Sequence, residues 1–215
     1  MITAHGGAMG TGRNTQRYFD EMRNYPLDAI EVDVRKRFGV LYLSHSLPRL
    51  FPGKAIRLSY VLEYCAERGI KVNCDLKAPG LVGPVLKLAR EVGAEDDIYF
   101  TGFVMKRDLK NLDGGEAYLN NTFFKLLGNP FKVENLENIK KTIDSFNNPR
   151  IAGLNLSYKR ATDEFVKKAG ELGLKLSLYT IDDRGALEKF IKLDPANVTT
   201  NLIKDALSFK SGEKK

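Results

Sequence analysis

The chain has 215 residues, 43% of them hydrophobic, and 34 Lys and Arg against 27 Asp and Glu give a formal net charge of +7. That apolar content suffices for one sizeable core, and no run approaches the ~20 apolar residues that a membrane-spanning helix needs. No basic stretch is interleaved with stacking aromatics, which argues against a nucleic-acid groove, and no leader pattern opens the chain, so a cytoplasmic protein without stable membrane insertion is expected.

Short apolar or β-branched runs alternate with longer helical patterns from the first residues onward. ITAHG (2–6) reads as a strand ahead of a helix from about Asn14; AIEVDV (29–34) turns at Phe38-Gly39 into VLYLSHS (40–46), and a helix follows over 58–69. KVNCDLK (71–77) leads to a helical pattern over 81–93, and DIYFTG (97–102) to MKRDLKNL. EAYLNN (116–121), a loop and a helix over 133–146 come next, then IAGLNLSY (151–158) with its helix, KLSLYTI (175–181) and NVTTNL (197–202). Gly69, Gly93 and Gly173 stand where helices should stop. Cys65 falls in an expected helix and Cys74 in an expected strand, without the spacing of a zinc site or redox pair. A repeat of about 25 residues sustained in one series favours a single-domain (β/α)8 TIM barrel over the alternative, an open doubly wound sheet. The barrel is expected over 1–208, with a disordered basic tail over 209–215.

Strand alternation sorts the charged residues. In Ile30-Glu31-Val32-Asp33-Val34 the apolar side chains share one face and the carboxylates the other. The same parity in Val72-Asn73-Cys74-Asp75-Leu76-Lys77 sends Asn73, Asp75 and Lys77 inward. Three carboxylates entering one barrel interior need a cation or protons, and their oxygens suit a divalent metal, Mg2+ or Ca2+. The plainer alternatives are an exposed alternating strand, or acids paired with Lys77 and a nearby arginine. His5 and His45, the two histidines of the chain, end the first strand and the hairpin, on the side where barrel active sites assemble. Two imidazoles beside a bound phosphate can divide the deprotonation of an attacking hydroxyl and the protonation of a departing alkoxide. Phe123, Phe124, Leu126, Leu127 and Phe131 crowd the segment after EAYLNN, where they form either an apolar lip for an acyl or alkyl group or a loop packed on its own core.

These residues resemble the glycerophosphodiester phosphodiesterase family, whose barrels open with His-Arg-Gly and Glu-Asn-Thr, continue with Ile-Glu-x-Asp-Val and His-Asp, and carry Glu-x-Lys on the third strand. The corresponding residues are His5-Gly6-Gly7, Arg13-Asn14-Thr15, Ile30 to Val34, His45-Ser46 and Asp75-Leu76-Lys77; Leu178-Tyr179-Thr180 and Thr200-Asn201 are similar to its Trp-Thr and Thr-Asp strand ends. The resemblance implies that Glu31, Asp33 and Asp75 hold the metal, His5 and His45 are the acid/base pair, and Lys77 binds a phosphate oxygen of a small phosphodiester such as a lysophospholipid-like glycerophosphodiester. Hydrolysis through a cyclic phosphate to glycerol phosphate and an alcohol is the implied reaction. The family pattern is broken where Gly6 replaces an arginine, Arg13 a glutamate, Ser46 an aspartate, and where little chain links His45 to the next helix. Arg13 is expected to supply the missing guanidinium. Two rival readings are a catalytically inactive metal- or phosphate-binding barrel and an aldolase-like barrel using Lys77 as a Schiff base.

Overall fold

The computed structural model describes residues 1–46, 54–110 and 112–212. Eight parallel strands, β1 (Ile2–Ala4), β2 (Ala29–Arg37), β4 (Lys71–Leu76), β5 (Ile98–Gly102), β6 (Glu116–Asn120), β7 (Ile151–Ser157), β8 (Lys175–Tyr179) and β9 (Asn197–Thr200), form one sheet. It closes because β1 pairs with both β9 and β2, so the open doubly wound alternative does not apply. The ninth strand, β3 (Val40–Leu43), folds back antiparallel on β2 and carries the chain above the barrel mouth.

Helices α1 (Gln16–Met22), α2 (Leu58–Ala66), α3 (Val82–Glu91) and α4 (Lys106–Lys110) alternate with the first strands. They are followed by α5 (Asn121–Lys125), α6 (Leu136–Asp144), α7 (Asp163–Glu171), α8 (Arg184–Lys192) and α9 (Ile203–Ser211). Side-chain caps set several starts: Thr15, Thr162 and Asp183 accept the amides of Tyr18, Phe165 and Ala186. Gly69, Gly93 and Gly173 take φ of 62°, 67° and 66°, the left-handed turn expected after a helix. Two details differ from the sequence reading. The segment after β6 contains α5, a single short helix where a loop was expected. The helix α9 runs on to Ser211, so residues 209–211 are helical and not part of a disordered tail, while 213–215 lie outside the described residues.

Strand alternation separates two interiors. Ile30, Val32, Val34, Val72, Cys74 and Leu76 turn outward into the apolar layer beneath the helices. Both cysteines are buried in that layer as free thiols. The inner space is graded along the barrel axis. Ala29, Tyr99 and Tyr118 plug the bottom. Above them runs a hydrogen-bonded polar layer in which Thr3 donates to Asn197 (2.6 Å), Asn197 to Ser177 (3.0 Å) and Ser177 to Asn155 (3.0 Å). The charged residues stand at the top, where the strands end. Each buried polar group in this layer has a partner, which removes the desolvation penalty that an unpaired amide would carry there.

Candidate active site

In-register pairing of β2 with β4 sets Glu31 beside Asn73 and Asp33 beside Asp75. The inward parity read from the sequence therefore brings three carboxylates together: one oxygen each of Glu31, Asp33 and Asp75 lies within 4.8 Å of the others. Glu31 and Asp33 are buried and Asp75 half-buried. Burial, and then the charges of Asp75 and Asp33, push the Glu31 carboxyl well above the ordinary range. Burial also raises Asp75, against the pull of Lys77. The Lys77 ammonium enters the same cluster, 2.8 Å from Asp33 Oδ1 and in contact with Asp75. Burial works against its charge, but Asp75 and Asp33 more than offset that and hold its proton more firmly than in water. The three acids converge as closely spaced oxygens that could hold a metal ion, and Lys77, as in the plainer reading, neutralises part of their charge.

Neighbours fix the carboxylates. Asn14, held at φ 54° in the loop before α1, donates to Asp33 Oδ2 (2.7 Å) and accepts the Asp33 amide (3.1 Å). Gly102 adopts φ +78°, and a methyl group there would run into Asp75 Oδ1 and the Leu76 carbonyl. Thr101 donates to Asn73 (3.0 Å), whose amide faces Glu31 (3.4 Å).

His5 continues the β1 ladder, its amide bonding the Thr200 carbonyl at 3.0 Å. Its ring lies between Asn201 Oδ1, 3.0 Å from Nδ1, and Glu31 Oε1, 3.7 Å from Nε2. Asn201 is itself oriented by Asp182, which accepts from its amide nitrogen (2.7 Å) and its backbone N–H (2.9 Å). The Asn201 oxygen must then face the ring, which assigns the proton to Nδ1 and leaves Nε2 as the free base. Burial, only partly countered by the Asn201 bond, keeps His5 below the ordinary imidazole range. His45 is exposed at the end of the hairpin, and its carbonyl accepts from Arg35 (3.2 Å).

These groups line one cleft of about 360 Å³ at the C-terminal mouth: His5, Glu31, Asp33, His45, Asp75 and Lys77 on one side, Asn120, Thr122, Asn155 and Tyr179 on the other. A larger groove of about 500 Å³ lies outside the barrel and shares no residue with this cleft. Arg13 does not enter the cleft. It is exposed, packs over Gly7, and lines an adjoining depression that shares His45. Gly7, at φ +142°, has no room for a side chain because a Cβ would lie 3.0 Å from the Arg13 nitrogen. Of the residues with a part in this geometry, Asn14, Gly102, Asn201 and Asp182 were not singled out as site residues from sequence. Asn14 and Asn201 did sit inside the quoted motifs, which was the available signal.

The apolar segment after β6 divides. Phe124 and Phe131 are buried, their rings 5.6 Å apart, with Phe131 reaching Phe165 at 6.3 Å. Only Leu126 and Leu127 face outward. The phenylalanines are therefore core, and a lip is limited to the two leucines.

A closed, single-domain (β/α)8 barrel with a carboxylate cluster and two histidines at its C-terminal mouth is the class that fold and site define. Solved structures of that fold include a glycerophosphodiester phosphodiesterase from Parabacteroides distasonis, with TM-score 0.77 and 16% identity over 99% of this chain and 98% of that one. One from Agrobacterium tumefaciens superposes with TM-score 0.73 at 18% identity, covering 98% and 99%. An Oleispira antarctica phosphodiesterase, solved with the product sn-glycerol-3-phosphate, matches with TM-score 0.75 at 16% identity over 98% and 96%. No family model matches the sequence, and no curated protein does. The chain has the fold of the glycerophosphodiester phosphodiesterases.

Proposed function

We propose that the chain is a metal-dependent phosphoric diester hydrolase of the glycerophosphodiester phosphodiesterase family, which converts glycerophosphodiesters into glycerol phosphate and an alcohol. The observation that carries this reading is the convergence of Glu31, Asp33, Asp75, Lys77, His5 and His45 on one cleft, in a barrel whose structural neighbours include phosphodiesterases. The donor set fits a hard divalent cation: three carboxylates of closely spaced oxygens, with a lysine already supplying positive charge among them. Glu31, Asp33 and Asp75 would hold Mg2+ or Ca2+, which when bound stabilises charge on the phosphoryl oxygens.

The chain's own groups do the proton transfers. His5 Nε2 takes the proton of the substrate hydroxyl that attacks phosphorus, and His45 gives one to the departing alkoxide. A cyclic phosphate and a free alcohol result. Water then adds to phosphorus with the two histidines in reversed roles, opening the ring to glycerol phosphate. Lys77, at the same cluster, would steady a phosphate oxygen. Asn120, Thr122, Asn155 and Tyr179 on the far wall offer hydrogen bonds to the glycerol hydroxyls. Arg13 lies beside His45 in the adjoining depression and would have to turn in from the rim to bind a second phosphate oxygen through its planar fork.

The test is release of glycerol phosphate from a panel of glycerophosphodiesters and lysophospholipids with Mg2+ or Ca2+, before and after chelation. Turnover should vanish on chelation and return with one of the two metals. Arg13→Lys, assayed alongside, should lose ~2 to 4 kcal/mol of transition-state stabilisation with unchanged metal affinity. The exposed position of Arg13 and the glycine at position 6 favour a second reading, a metal-binding barrel without turnover. Calorimetric metal binding with no hydrolysis of any panel member would establish it.

A further inference from the structure

Six large apolar side chains are prominently exposed among the described residues: Phe38, Phe103, Met105, Leu126, Leu127 and Leu193. In a parallel barrel every segment that follows a strand lies at the C-terminal mouth. Five of the six stand on such segments, after β2, β5 and β6, on the same face as the cleft. Only Leu193, at the end of α8, is on the opposite face.

Phe38 is the most telling. β2 runs four residues beyond Asp33, and Arg37 pairs with Val40, so Phe38 and Gly39 alone make the hairpin tip. Both take positive φ, 47° and 80°. Such a two-residue turn calls for Asn, Asp or Gly, and a bulky aromatic there is strained. The phenylalanine is nevertheless 75% exposed at the summit of the hairpin. Local folding does not account for it, whereas a contact made by the tip does.

The charge around these side chains is mainly positive, with Asp108, which accepts the Met105 amide (2.8 Å) and meets Arg107 at 4.0 Å, as an exception. The segments 35–39, 103–107 and 121–132 contain three, two and two lysines or arginines and no aspartate or glutamate. The Arg37 guanidinium lies over the Phe38 ring at 5.0 Å. Lys36, Lys106 and Lys125 make no ion pair with another described residue, although Lys132 meets Glu134 at 3.4 Å. Beneath the hairpin, the outer groove of about 500 Å³ sets Arg57 and Lys87 beside Lys36, with Glu91 its one acid. Apolar tips set among unpaired cations match a surface that is anionic at the headgroups and apolar just below.

We infer that the mouth of the barrel docks on an anionic phospholipid bilayer, with Phe38 and Leu126 entering the headgroup layer and the cleft facing the membrane. This builds on the hydrolase reading by naming where its diesters are met, at a lipid surface.

Docking is measured without substrate, by sedimentation of the full chain with vesicles of phosphatidylcholine alone or of an equimolar mixture with phosphatidylglycerol. The wild type should bind the mixed vesicles, leave them at high salt, and bind pure phosphatidylcholine much more weakly. Phe38→Asn, which suits the turn, combined with Leu126→Ser should weaken binding by about tenfold or more. The same variant should hydrolyse a water-soluble diester at the wild-type rate. Leu193→Ser, on the far face, should bind as the wild type does. Equal binding to both vesicle types, or undiminished binding by the double variant, overturns the inference. So does a dimer in solution that the double variant dissociates, because the patch would then cover a second copy. A protein that docks but hydrolyses nothing overturns the hydrolase reading alone, and one that hydrolyses soluble diesters but ignores vesicles overturns docking alone.

Discussion

Asp33→Asn should lower turnover by at least about a thousandfold and leave the protein folded, with an unfolding free energy within ~1 kcal/mol of the wild type. Asp33 faces Lys77 at 2.8 Å and is clamped through both side chain and amide by Asn14. Asparagine keeps an oxygen for the Asn14 amide, and Lys77 keeps Asp75, so no buried charge is left alone. The variant also removes one of the charges that raise Glu31, which offsets the lost ion pair. Metal binding has no such compensation. A cation must displace the protons that Glu31 and Asp75 hold above the ordinary carboxylate range. Affinity in the wild type should therefore climb with pH through that raised range and fall below it, because protons and metal compete for the same oxygens. In Asp33→Asn the Glu31 proton leaves at lower pH, so the affinity profile shifts to acid while its plateau drops. Calorimetric titration with Mg2+ and Ca2+ at several pH values, beside thermal unfolding, checks both halves. A folded variant with the wild-type plateau would remove Asp33 from the ligand set.

The parts of this site legible in the sequence share one physical basis, the two-residue period of a strand. Glu31 with Asp33, and Asp75 with Lys77, declare their common face without knowledge of any contact, and their meeting follows once β2 and β4 are neighbours. His5 and His45 are placed by the rule that strand ends gather at one mouth. What stayed hidden depends on closure of the ring. Asn201 reaches His5 across 196 positions of sequence, only because β9 returns to β1. Asn14 reaches Asp33 from a left-handed turn that its sequence alone does not announce. Gly102 is required by the neighbouring strand's carboxylate and by its own φ, neither visible in DIYFTG. The apolar run at 123–131 was ambiguous for a related reason. Burial of Phe124 and exposure of Leu126, two positions apart, follow from how a five-residue helix sits on the barrel, and one helical turn is too short for a periodic signal. Arg13 was placed in the right loop, but the backbone turn around Gly7 carries it to the rim beside His45.

His5→Gln should cost about a hundredfold to ten-thousandfold in kcat, with KM and metal affinity close to wild type, the signature of a group that moves a proton and is not a ligand. Pre-organisation favours His5 over His45 as the group that starts the reaction. His45 is exposed, whereas His5 is held by a chain of hydrogen bonds from Asp182 through Asn201 to Nδ1. Asp182 accepts only, so it turns the Asn201 amide nitrogen toward itself and the oxygen toward the ring. The imidazole proton is thereby fixed on Nδ1, and burial keeps Nε2 unprotonated below the ordinary imidazole range, facing the acids. Glutamine can fill the space and hydrogen-bond but cannot carry a proton, so the loss isolates the transfer step. The chain behind the ring should show a graded effect: Asn201→Ala frees the tautomer and should lower kcat about tenfold, with KM unchanged. Steady-state kinetics on a soluble glycerophosphodiester, with metal titration of each variant, provide the readout. Wild-type kcat in His5→Gln would assign the proton transfers to His45 and solvent, and loss of metal affinity in that variant would move His5 into the ligand shell beside Glu31.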